Sequence, residues 1–550
     1  MLGSQVSGTE LRPRGVASDA EMNVIDQSKR GESSHQPFLD RADLAWMLGL
    51  MALGVALRLF YRSGFGLGDD VIFRHKIAHI IYSKALLPDN ISYRFTWLIP
   101  TALSSWIFGI NEFGMIFPIT LTAALGIGLI YAFGKALWGI PGALIAAFLL
   151  VVQPLDFAWS TMLATDVPLS FFSALTVLLI LRALEQKDVA WKRRLWILAG
   201  GGLSLAYGAK ISAILLLPGI ALICWMKRQR VDRQFVYFLA TLTILFGATH
   251  LVFYVFTGDF NYPYHAELSF QGLAGQNAAQ SHRLSAPVFW SYVKWLGLPN
   301  QYGDMLFSIY PHLLVFLALT SWFLRIRTSP PVFWWFFFVF LGMQFNIQRV
   351  QGVWISGFRN IRHTHVFVYP LILLLTGYLV RLRERYPKLC YSVLGLLLSF
   401  SAWQSVATAS KTQIAFDDRR QACYFLATLP PNTVYSDFQI ATWASILDFK
   451  HPWKFAELET FDRAVRRAQI SAIKSGYLVT DGGREPHHGC YDCIPRADEI
   501  SPEKWQLLRE FPGPAKPTLW RPEPLRVWQT REDLGGDGSR AGTTALAPSD

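Results

Sequence analysis

The chain has 550 residues, of which 52% are hydrophobic and 16% are charged. Soluble proteins carry about 25% charged residues, so this composition excludes an ordinary soluble domain. Apolar runs of about 20 residues, the length that crosses a bilayer core, recur along the sequence and predict a polytopic membrane protein. The net charge of +12 does not indicate nucleic-acid binding, because the basic residues cluster in short loops between the apolar runs.

The apolar runs define the domain organisation. Residues 1–43 are polar and lack the apolar core of a signal peptide, which predicts a disordered cytoplasmic tail. A helical membrane bundle is predicted for residues 44–410, and the short apolar run 96–108 is expected to form an interfacial helix. The bundle has about eleven predicted spans, at 44–60, 114–134, 138–155, 168–184, 195–209, 211–226, 235–256, 305–324, 332–347, 364–380 and 389–409.

The remainder of the chain is more polar. The segments TVYSD, GYLVTD and LRVWQT predict strands, while residues 417–428, 462–473 and 502–510 predict helices. We therefore expect a small exoplasmic α/β domain at 411–530, followed by a disordered tail at 531–550.

The basic loops predict the orientation of the bundle. The strongest basic clusters lie at 185–194, 227–234, 325–331 and 381–388. A cytoplasmic N-terminus places all of them on the cytoplasmic side, as the positive-inside rule requires. The loops between them then face the outside, together with the C-terminal domain. The charged groups in these outer segments are Asp69, Asp70, Asp166, Lys210, the polar loop 257–303, Arg359, Arg362 and His363.

The outer carboxylates are candidates for acid–base chemistry. Asp69 and Asp70 follow the first span, and Asp166 lies in a separate loop that a compact bundle can bring close to them. One carboxylate can act as a general base that deprotonates an attacking hydroxyl, and another can orient that base or hold a divalent cation. The alternative is structural, because an acid often caps a helix N-terminus, and Asp166 before Pro168 fits that pattern.

The outer cations are candidates for phosphate binding. Lys210, Arg359 and Arg362 lie at the outer membrane edge, against the positive-inside bias. Such cations indicate an anionic partner, and a membrane-embedded phosphate or diphosphate fits them. His363 and His365 can add hydrogen-bond donors. The alternative is that these long side chains only extend to the interface.

A base and an anion-binding group on one rim predict group transfer from a lipid-linked phosphate. A glycosyl phosphate has a good leaving group, so stabilisation of charge can replace a general acid. One base then suffices for a single displacement with inversion, whereas glycosidases use two carboxylates.

The order of these features resembles that of the integral-membrane glycosyltransferases that use polyprenyl-phosphate sugars, the GT-C superfamily. The chain is most similar to the branch that holds the dolichyl-phosphate-mannose protein mannosyltransferases and the bacterial lipid A aminoarabinose transferases, over residues 44–410. The segments that carry the resemblance are Asp69-Asp70, LIPTALSSWIFGINEF at 98–113, Asp166-Val167-Pro168, GGLSLAYGAK at 201–210 and RNIRHTHVFVYP at 359–370.

The resemblance implies that Asp69 is the catalytic base with Asp70 in support, and that Lys210 and Arg362 approach the donor phosphate. It implies an inverting, mannosyltransferase-like hexosyl- or pentosyltransferase. This enzyme would move a sugar from undecaprenyl or dolichyl phosphate to an exoplasmic protein, lipid or glycan. We expect a bacterial plasma membrane, with the site facing the periplasm or exterior; a secretory lumen is the alternative for the outer face. The chain departs from the family pattern because Asp70 replaces the usual Glu and the segment 359–370 lacks the usual Tyr-Leu-Pro ending. No Trp-Trp-Asp-Tyr-Gly motif is present, which disfavours an oligosaccharyltransferase.

A further cluster lies in the predicted C-terminal domain. The sequence HHGCYDC contains His487, His488, Cys490 and Cys493, and a Cys-x-x-Cys beside His is a pattern that binds zinc. Outside the cytosol a local disulfide is an alternative, although the short spacing strains such a bond.

Other functions are compatible with charges in a membrane bundle. A transporter or lipid flippase would use the same rim charges, although transporters commonly have repeated halves and polar groups near the bilayer midplane. A structural or sensor protein would use the bundle only as an anchor for the C-terminal domain. In that case loss of the outer carboxylates would be harmless.

Overall fold

The computed structural model divides the chain into two compact units, Met1–Trp46 and Met47–Asp550. Most of the predicted disordered tail, residues 1–38, lies outside the described residues. The structure describes residues 39–63, 77, 93–109, 111–270, 289–290, 330–350, 353–356, 361–415, 417–436, 440, 454–458, 463–480, 497–512 and 524–535.

The first helix begins at Arg41, within the first unit, with a reciprocal cap. The backbone N–H of Asp43 donates to Asp40 Oδ1 over 2.8 Å, and the N–H of Asp40 donates to Asp43 Oδ2 over 2.9 Å. Each carboxylate thus satisfies a backbone donor that has no partner within the helix, as in a capping box.

Long apolar helices form the bundle. They are α1 (Arg41–Phe60), α2 (Phe95–Phe108), α3 (Glu112–Val151), α4 (Pro154–Trp159), α5 (Asp166–Glu185), α6 (Val189–Ala209), α7 (Leu217–Met226), α8 (Phe235–Thr257), α9 (Tyr262–Phe270), α10 (Pro330–Gln344), α11 (Val368–Arg385) and α12 (Pro387–Ala415). Short 3-10 helices at Ile211–Leu216 and Ile361–Phe367 lead into α7 and α11. An antiparallel hairpin, β1 (Ile347–Val350) and β2 (Val353–Ser356), follows α10.

Within the described part of the chain, six helical segments are long and apolar enough to cross a membrane. The predicted spans that fall on described residues overlap helical structure, although the span predicted at 332–347 extends beyond the end of α10 at Gln344 into the first residue of β1. The span predicted at 305–324 lies outside the described residues. Helix α12 continues to Ala415, past the boundary predicted at 410. The predicted fold class, a helical membrane bundle followed by a small sheet domain, is confirmed.

Helix α3 consists of two legs, one before and one after Gly139. Its helical geometry is interrupted at Gly139, where φ is 70° and ψ is −163°. This positive φ favours glycine, because L-residues with a side chain are strained there. A Cβ on Gly134 would lie 2.5 Å from the carbonyl oxygen of Gly142, so the legs meet backbone to backbone at this turn. The tight turn predicted between spans 114–134 and 138–155 is therefore present.

The helices differ in how deeply they are buried. In the segment His363–Arg385, which contains α11, 94% of the most apolar stretch is buried, against 11% in α8. Helix α8 exposes Ile244, Val255 and Phe256. Since these side chains need an apolar environment, we assign α8 to the lipid-facing surface and α11 to the centre of the bundle.

The C-terminal domain contains a five-stranded sheet. Its elements are α13 (Asp417–Ala427), β3 (Thr433–Ser436), β4 (Lys454–Glu457), α14 (Arg463–Ala472), β5 (Tyr477–Thr480), β6 (Trp505–Phe511), β7 (Leu525–Thr530) and α15 (Arg531–Gly535). The strand order is β4-β3-β5-β7-β6. Strand β3 runs parallel to β4 and β5, whereas β7 runs antiparallel to β5 and β6. The predicted strands β3, β5 and β7 and the predicted helices α13 and α14 are present.

The helix predicted at 502–510 is wrong, because these residues contribute most of strand β6. The segment between Trp505 and Phe511 consists of Gln, Leu, Arg and Glu, which are good helix formers. In the fold, this segment pairs with β7 and buries both aromatic end residues. Strand pairing and burial outweigh local propensity here.

A continuous apolar core joins the sheet domain to one end of the bundle. We call this end, where α6 finishes and α5 begins, the domain end. The core contains Trp97 and Leu98 of α2, Met115 of α3, Leu163 and Val167 beside the start of α5, Ala422 and Cys423 of α13, and Val479 and Val527 of the sheet. The domain is thus packed beside the start of α5, which carries Asp166.

The ordered structure extends into the tail predicted to be disordered at 531–550, because Asp533 in α15 is tied to the sheet. Its carboxylate accepts hydrogen bonds from Ser475 Oγ over 2.6 Å, Thr530 Oγ1 over 2.7 Å, the Gly476 N–H over 2.8 Å and Asn432 Nδ2 over 3.2 Å. Burial acts to raise the pKa of this carboxyl, but the hydrogen bonds outweigh it and lower the pKa below its ordinary value.

We expect Asp533→Asn to lower the free energy of unfolding of the C-terminal domain by about 1–2 kcal/mol near neutral pH. Because the folded-state pKa of Asp533 is depressed, its contribution is present above the unfolded-state pKa and is lost as the pH falls through the folded-state value. Thermal unfolding followed from neutral to acid pH should therefore show a weaker acid dependence in the variant than in the wild type. Glu532→Gln, at the exposed neighbouring position, serves as the control. An unchanged acid dependence in Asp533→Asn would contradict the assignment.

Candidate functional site

The structure places part of the predicted site. Asp166, Lys210 and His363 are described and buried, and Arg362 belongs to the 3-10 helix Ile361–Phe367. The predicted residues that lie outside the described part of the chain are Asp69, Asp70 and Arg359, together with His487, His488, Cys490 and Cys493 of the zinc or disulfide candidate.

Lys210 and Asp166 form a buried ion pair at the domain end. Lys210 Nζ donates to Asp166 Oδ1 over 2.8 Å, and the two side chains are 9% and 4% exposed. Helices α5 and α6 form a hairpin with a short turn, so the start of α5 lies beside the end of α6. The alternative interpretation, in which the Lys210 side chain only extends to the membrane interface, therefore does not apply, because the ammonium group is buried against Asp166. Thr165 occupies the N-cap position of α5, and the Asp166 carboxylate serves the ion pair.

A second charged group, fully buried, lies next to this pair. Arg58 Nη2 donates to Asp156 Oδ2 over 2.6 Å, and His365 Nε2 lies 3.1 Å from Asp156 Oδ1. All three side chains have no exposed surface. We call Arg58, Asp156 and His365 the Arg58 cluster. It joins the last turn of α1, the short helix α4 and the 3-10 helix that precedes α11.

The guanidinium of Arg58 also satisfies backbone carbonyls where α3 ends. It donates to the oxygens of Leu150 and Val151 over 3.2 and 3.3 Å, and to that of Gly54 over 3.2 Å. A cation at the C-terminus of a helix complements the helix dipole. Arg58 therefore fixes the end of α1 against the end of α3.

Asp156 is the centre of the Arg58 cluster. Burial acts to raise the pKa of its carboxyl, but the hydrogen bond from His365 and the charge of Arg58 outweigh burial and hold the pKa below its ordinary value. Asp156 thus remains a carboxylate, and its two oxygens serve Arg58 and His365 separately.

Ser170 connects the Arg58 cluster to the ion pair. Its hydroxyl lies 2.9 Å from the backbone oxygen of Asp166 and 2.8 Å from His365 Nδ1. Ser170 lies one turn after Asp166 on α5. Ser170 thus places the Arg58 cluster within one helical turn of the residue that pairs with Lys210.

A further buried cation lies at the start of α2. Arg94 Nη2 donates to Glu267 Oε2 of α9 over 2.8 Å, and the hydroxyl of Tyr93 donates to the same oxygen. A Cβ on Gly208 would lie 2.4 Å from the ring of Phe95, so the start of α2 presses against the end of α6. Arg94 and Glu267 therefore lie close to the end of α6 that carries Lys210.

The sequence pattern identified some of these groups and missed others. Lys210, Asp166 and His365 stood out because they border apolar runs. Arg58 lies inside the last turn of an apolar span and Asp156 lies in an apolar loop, so only their pairing across the fold reveals them. Among the described residues, no group of three or more His, Cys, Asp and Glu side chains is arranged to hold a metal ion.

Comparisons with known proteins bear on the class of protein. A family model described as dolichyl-phosphate-mannose-protein mannosyltransferase matches residues 94–253, which include Asp156, Asp166 and Lys210. A search among curated protein sequences gives no significant match.

Among solved structures, the fold is similar to that of ArnT from Cupriavidus metallidurans. The apo structure has a TM-score of 0.56 at 12% identity, over 80% of this chain and 93% of that chain. The structure bound to undecaprenyl phosphate has the same TM-score and identity, over 79% and 93%. An oligosaccharyltransferase from Archaeoglobus fulgidus, tethered with an acceptor peptide, gives a TM-score of 0.49 at 12% identity, over 79% of this chain and 69% of that chain.

These findings confirm the resemblance predicted from the sequence. At 12% identity the structural likeness to ArnT shows a shared fold, and the family-model match indicates the enzyme class. The chain is a multi-pass membrane protein whose fold is similar to that of ArnT, and the family-model match over residues 94–253 supports a glycosyltransferase.

The Arg58 cluster yields a prediction for stability. Removing one partner of a buried ion pair leaves an uncompensated charge, so Arg58→Met and Asp156→Asn should each lower the free energy of unfolding by about 3–5 kcal/mol. The double variant should cost about 1–3 kcal/mol less than the sum of the single variants, because the two groups interact directly. Thermal or denaturant unfolding of the purified protein in detergent measures this coupling. Strictly additive effects would contradict a direct pair.

Proposed function

We propose that the protein transfers a sugar from a polyprenyl phosphate to an acceptor hydroxyl at the domain end of the bundle. The observation that carries this proposal is the bridge made by Ser170. It joins the backbone of Asp166, whose side chain pairs with Lys210, to His365 in the 3-10 helix that also contains Arg362 and His363. This proximity supports the proposal that groups from separate loops contact one phosphate.

The proposal places this site on the exoplasmic face. At the other end of the bundle, Lys192 Nζ pairs with Asp232 Oδ2 over 2.8 Å and also donates to the backbone oxygen of Arg230. The basic loops 185–194 and 227–234 belong to that end. Because basic loops remain in the cytoplasm, their position supports an exoplasmic domain end.

In the proposed reaction, Asp69 takes the proton from the acceptor hydroxyl. The oxygen attacks the anomeric carbon as the bond from that carbon to the phosphate oxygen breaks. The bonding electrons leave with the polyprenyl phosphate, and the configuration at the anomeric carbon inverts. Asp70 orients Asp69 or holds a divalent cation. No second acid is required, because the leaving phosphate accepts the negative charge.

The leaving phosphate needs positive charge at the point where the bond breaks. Lys210 supplies a point charge, and its ion pair with Asp166 holds the ammonium group at the end of α6. In this proposal Arg362 and His363, which belong to the 3-10 helix before α11, add further hydrogen-bond donors. The acceptor is a protein, a lipid or a glycan with an accessible hydroxyl.

Asp69→Asn tests the base. We expect transfer from a labelled polyprenyl-phosphate sugar to fall by about 10²–10⁴-fold, the usual contribution of general-base catalysis. Membranes or nanodiscs that contain the full chain at equal expression allow the comparison. Asp70→Asn, which keeps Asp69, should lose less activity. Full activity in Asp69→Asn with normal expression would remove the proposed base.

Lys210→Met tests the phosphate contact. The variant keeps the length of the side chain and removes its charge, so we expect kcat/KM for the donor to fall by about 10–100-fold, as loss of a charge-assisted hydrogen bond predicts. Lys192→Met is the matched control, because it removes a paired and largely buried lysine at the opposite end. Equal effects of the two variants on donor kinetics would indicate a general loss of folding and would oppose the assignment.

A further inference from the structure

We propose that the Arg58 cluster is a positioning device for the transfer reaction. It holds the 3-10 helix Ile361–Phe367, which carries Arg362 and His363, in a fixed place relative to the end of α1. The chain continues from the end of α1 toward Asp69. This inference rests on the proposed function, and it assigns a role to Arg58, Asp156, His365 and Ser170.

Stability alone does not account for the cluster. Its three ionisable side chains are completely buried, and taking charges out of water is costly even when they are paired. Apolar residues of similar volume often replace such buried pairs without loss of stability. Charged groups inside membrane bundles are therefore functional candidates. The cluster instead fixes the relative positions of chain segments, because each of its hydrogen bonds joins one segment to another.

The bonds of the cluster connect the segments that carry the site. Arg58 binds the α1 end to the carbonyls at the end of α3 and to Asp156 on α4. Asp156 in turn binds His365 of the 3-10 helix. His365 is fully buried and lies two positions after His363 in the chain. A displacement at His365 is therefore transmitted directly to the residues proposed to contact the phosphate.

Ser170 completes the arrangement. Its hydroxyl donates to the backbone oxygen of Asp166 and also lies 2.8 Å from His365 Nδ1. Nε2 of the same imidazole ring lies 3.1 Å from the Asp156 carboxylate, so the two ring nitrogens face different partners. This geometry assigns a separate task to each nitrogen.

Because each ring nitrogen of His365 has its own partner, variants at this position can remove the two contacts separately. Gln at position 365 places its amide nitrogen near the position of Nε2 and keeps a donor for Asp156. Asn places its amide near the position of Nδ1 and keeps a partner for Ser170. His365→Ala removes both contacts. Misplacement of reacting groups by about 1 Å can cost about 10²-fold in rate.

We expect His365→Ala to lower kcat/KM for the polyprenyl-phosphate donor by about 10²-fold, through a higher donor KM together with a lower kcat. His365→Gln should recover activity to within about tenfold of the wild type, because loss of one hydrogen bond accounts for about fivefold. His365→Asn should resemble His365→Ala. Ser170→Ala is the mildest variant and should lower kcat/KM by about fivefold. Equal losses in His365→Gln and His365→Ala would overturn the role of Asp156.

Arg466→Met provides the matched structural control. Arg466 and Glu499 form an ion pair in the C-terminal domain, with an Nη2–Oε1 distance of 2.6 Å and both side chains fully buried. Its loss should lower thermal stability and leave the kcat and KM of the folded protein unchanged. If His365→Ala behaved in the same way, with reduced stability and wild-type kinetics, the cluster would be only structural.

Hydrogen exchange separates this inference from the proposed function, because it needs no turnover. In His365→Ala, the amides of residues 361–367 should exchange at least about tenfold faster than in the wild type, as expected when local opening becomes easier. The same amides in Arg466→Met should exchange at the wild-type rate. A wild-type protein that consumes no polyprenyl-phosphate sugar would contradict the proposed function only. Unchanged exchange in His365→Ala would contradict the positioning role.

Discussion

A charge that leaves water for the interior of a membrane bundle needs a partner of opposite charge, and this requirement organises the domain end of the protein. Arg58 is completely buried in the last turn of an apolar helix, and Asp156 lies 2.6 Å from it. His365 approaches the other oxygen of Asp156, so segments far apart in the sequence meet at one carboxylate. Because an unpaired buried charge is strongly destabilising, these segments cannot separate without a large cost.

The positions of these paired buried charges also help to distinguish an enzyme from a transporter, a flippase or a sensor. Lys210 and Asp166 are paired at the domain end, as are Arg94 and Glu267, and the sheet domain shares an apolar core with that end. Transporters and flippases commonly place polar groups near the bilayer midplane, at the interface between repeats. A site at one end of the bundle, beneath a folded domain, favours a reaction at the membrane surface. A sensor in which the bundle is only an anchor would give no reason for these buried pairs.

Much of the fold was accessible from sequence because its signals are local. Apolar runs predicted the described spans, and alternating segments predicted strands β3, β5 and β7. The error at 502–510 arose because the pairing of β6 with β7 depends on residues that follow later in the chain. The site was predicted only in part. Charges that border an apolar run, such as Lys210, are visible in a hydropathy pattern, whereas charges that only pair across the fold are not. Arg58 lies 98 positions from Asp156 in the chain, and Asp156 lies 209 positions from His365, so no local rule connects them.

A structure of the wild-type protein with undecaprenyl phosphate tests the central claim most directly. The account predicts that the phosphate lies at the domain end, with one oxygen about 3 Å from Lys210 Nζ and the 3-10 helix Ile361–Phe367 beside it. A phosphate bound at the opposite end, near Lys192 and Asp232, would contradict the account.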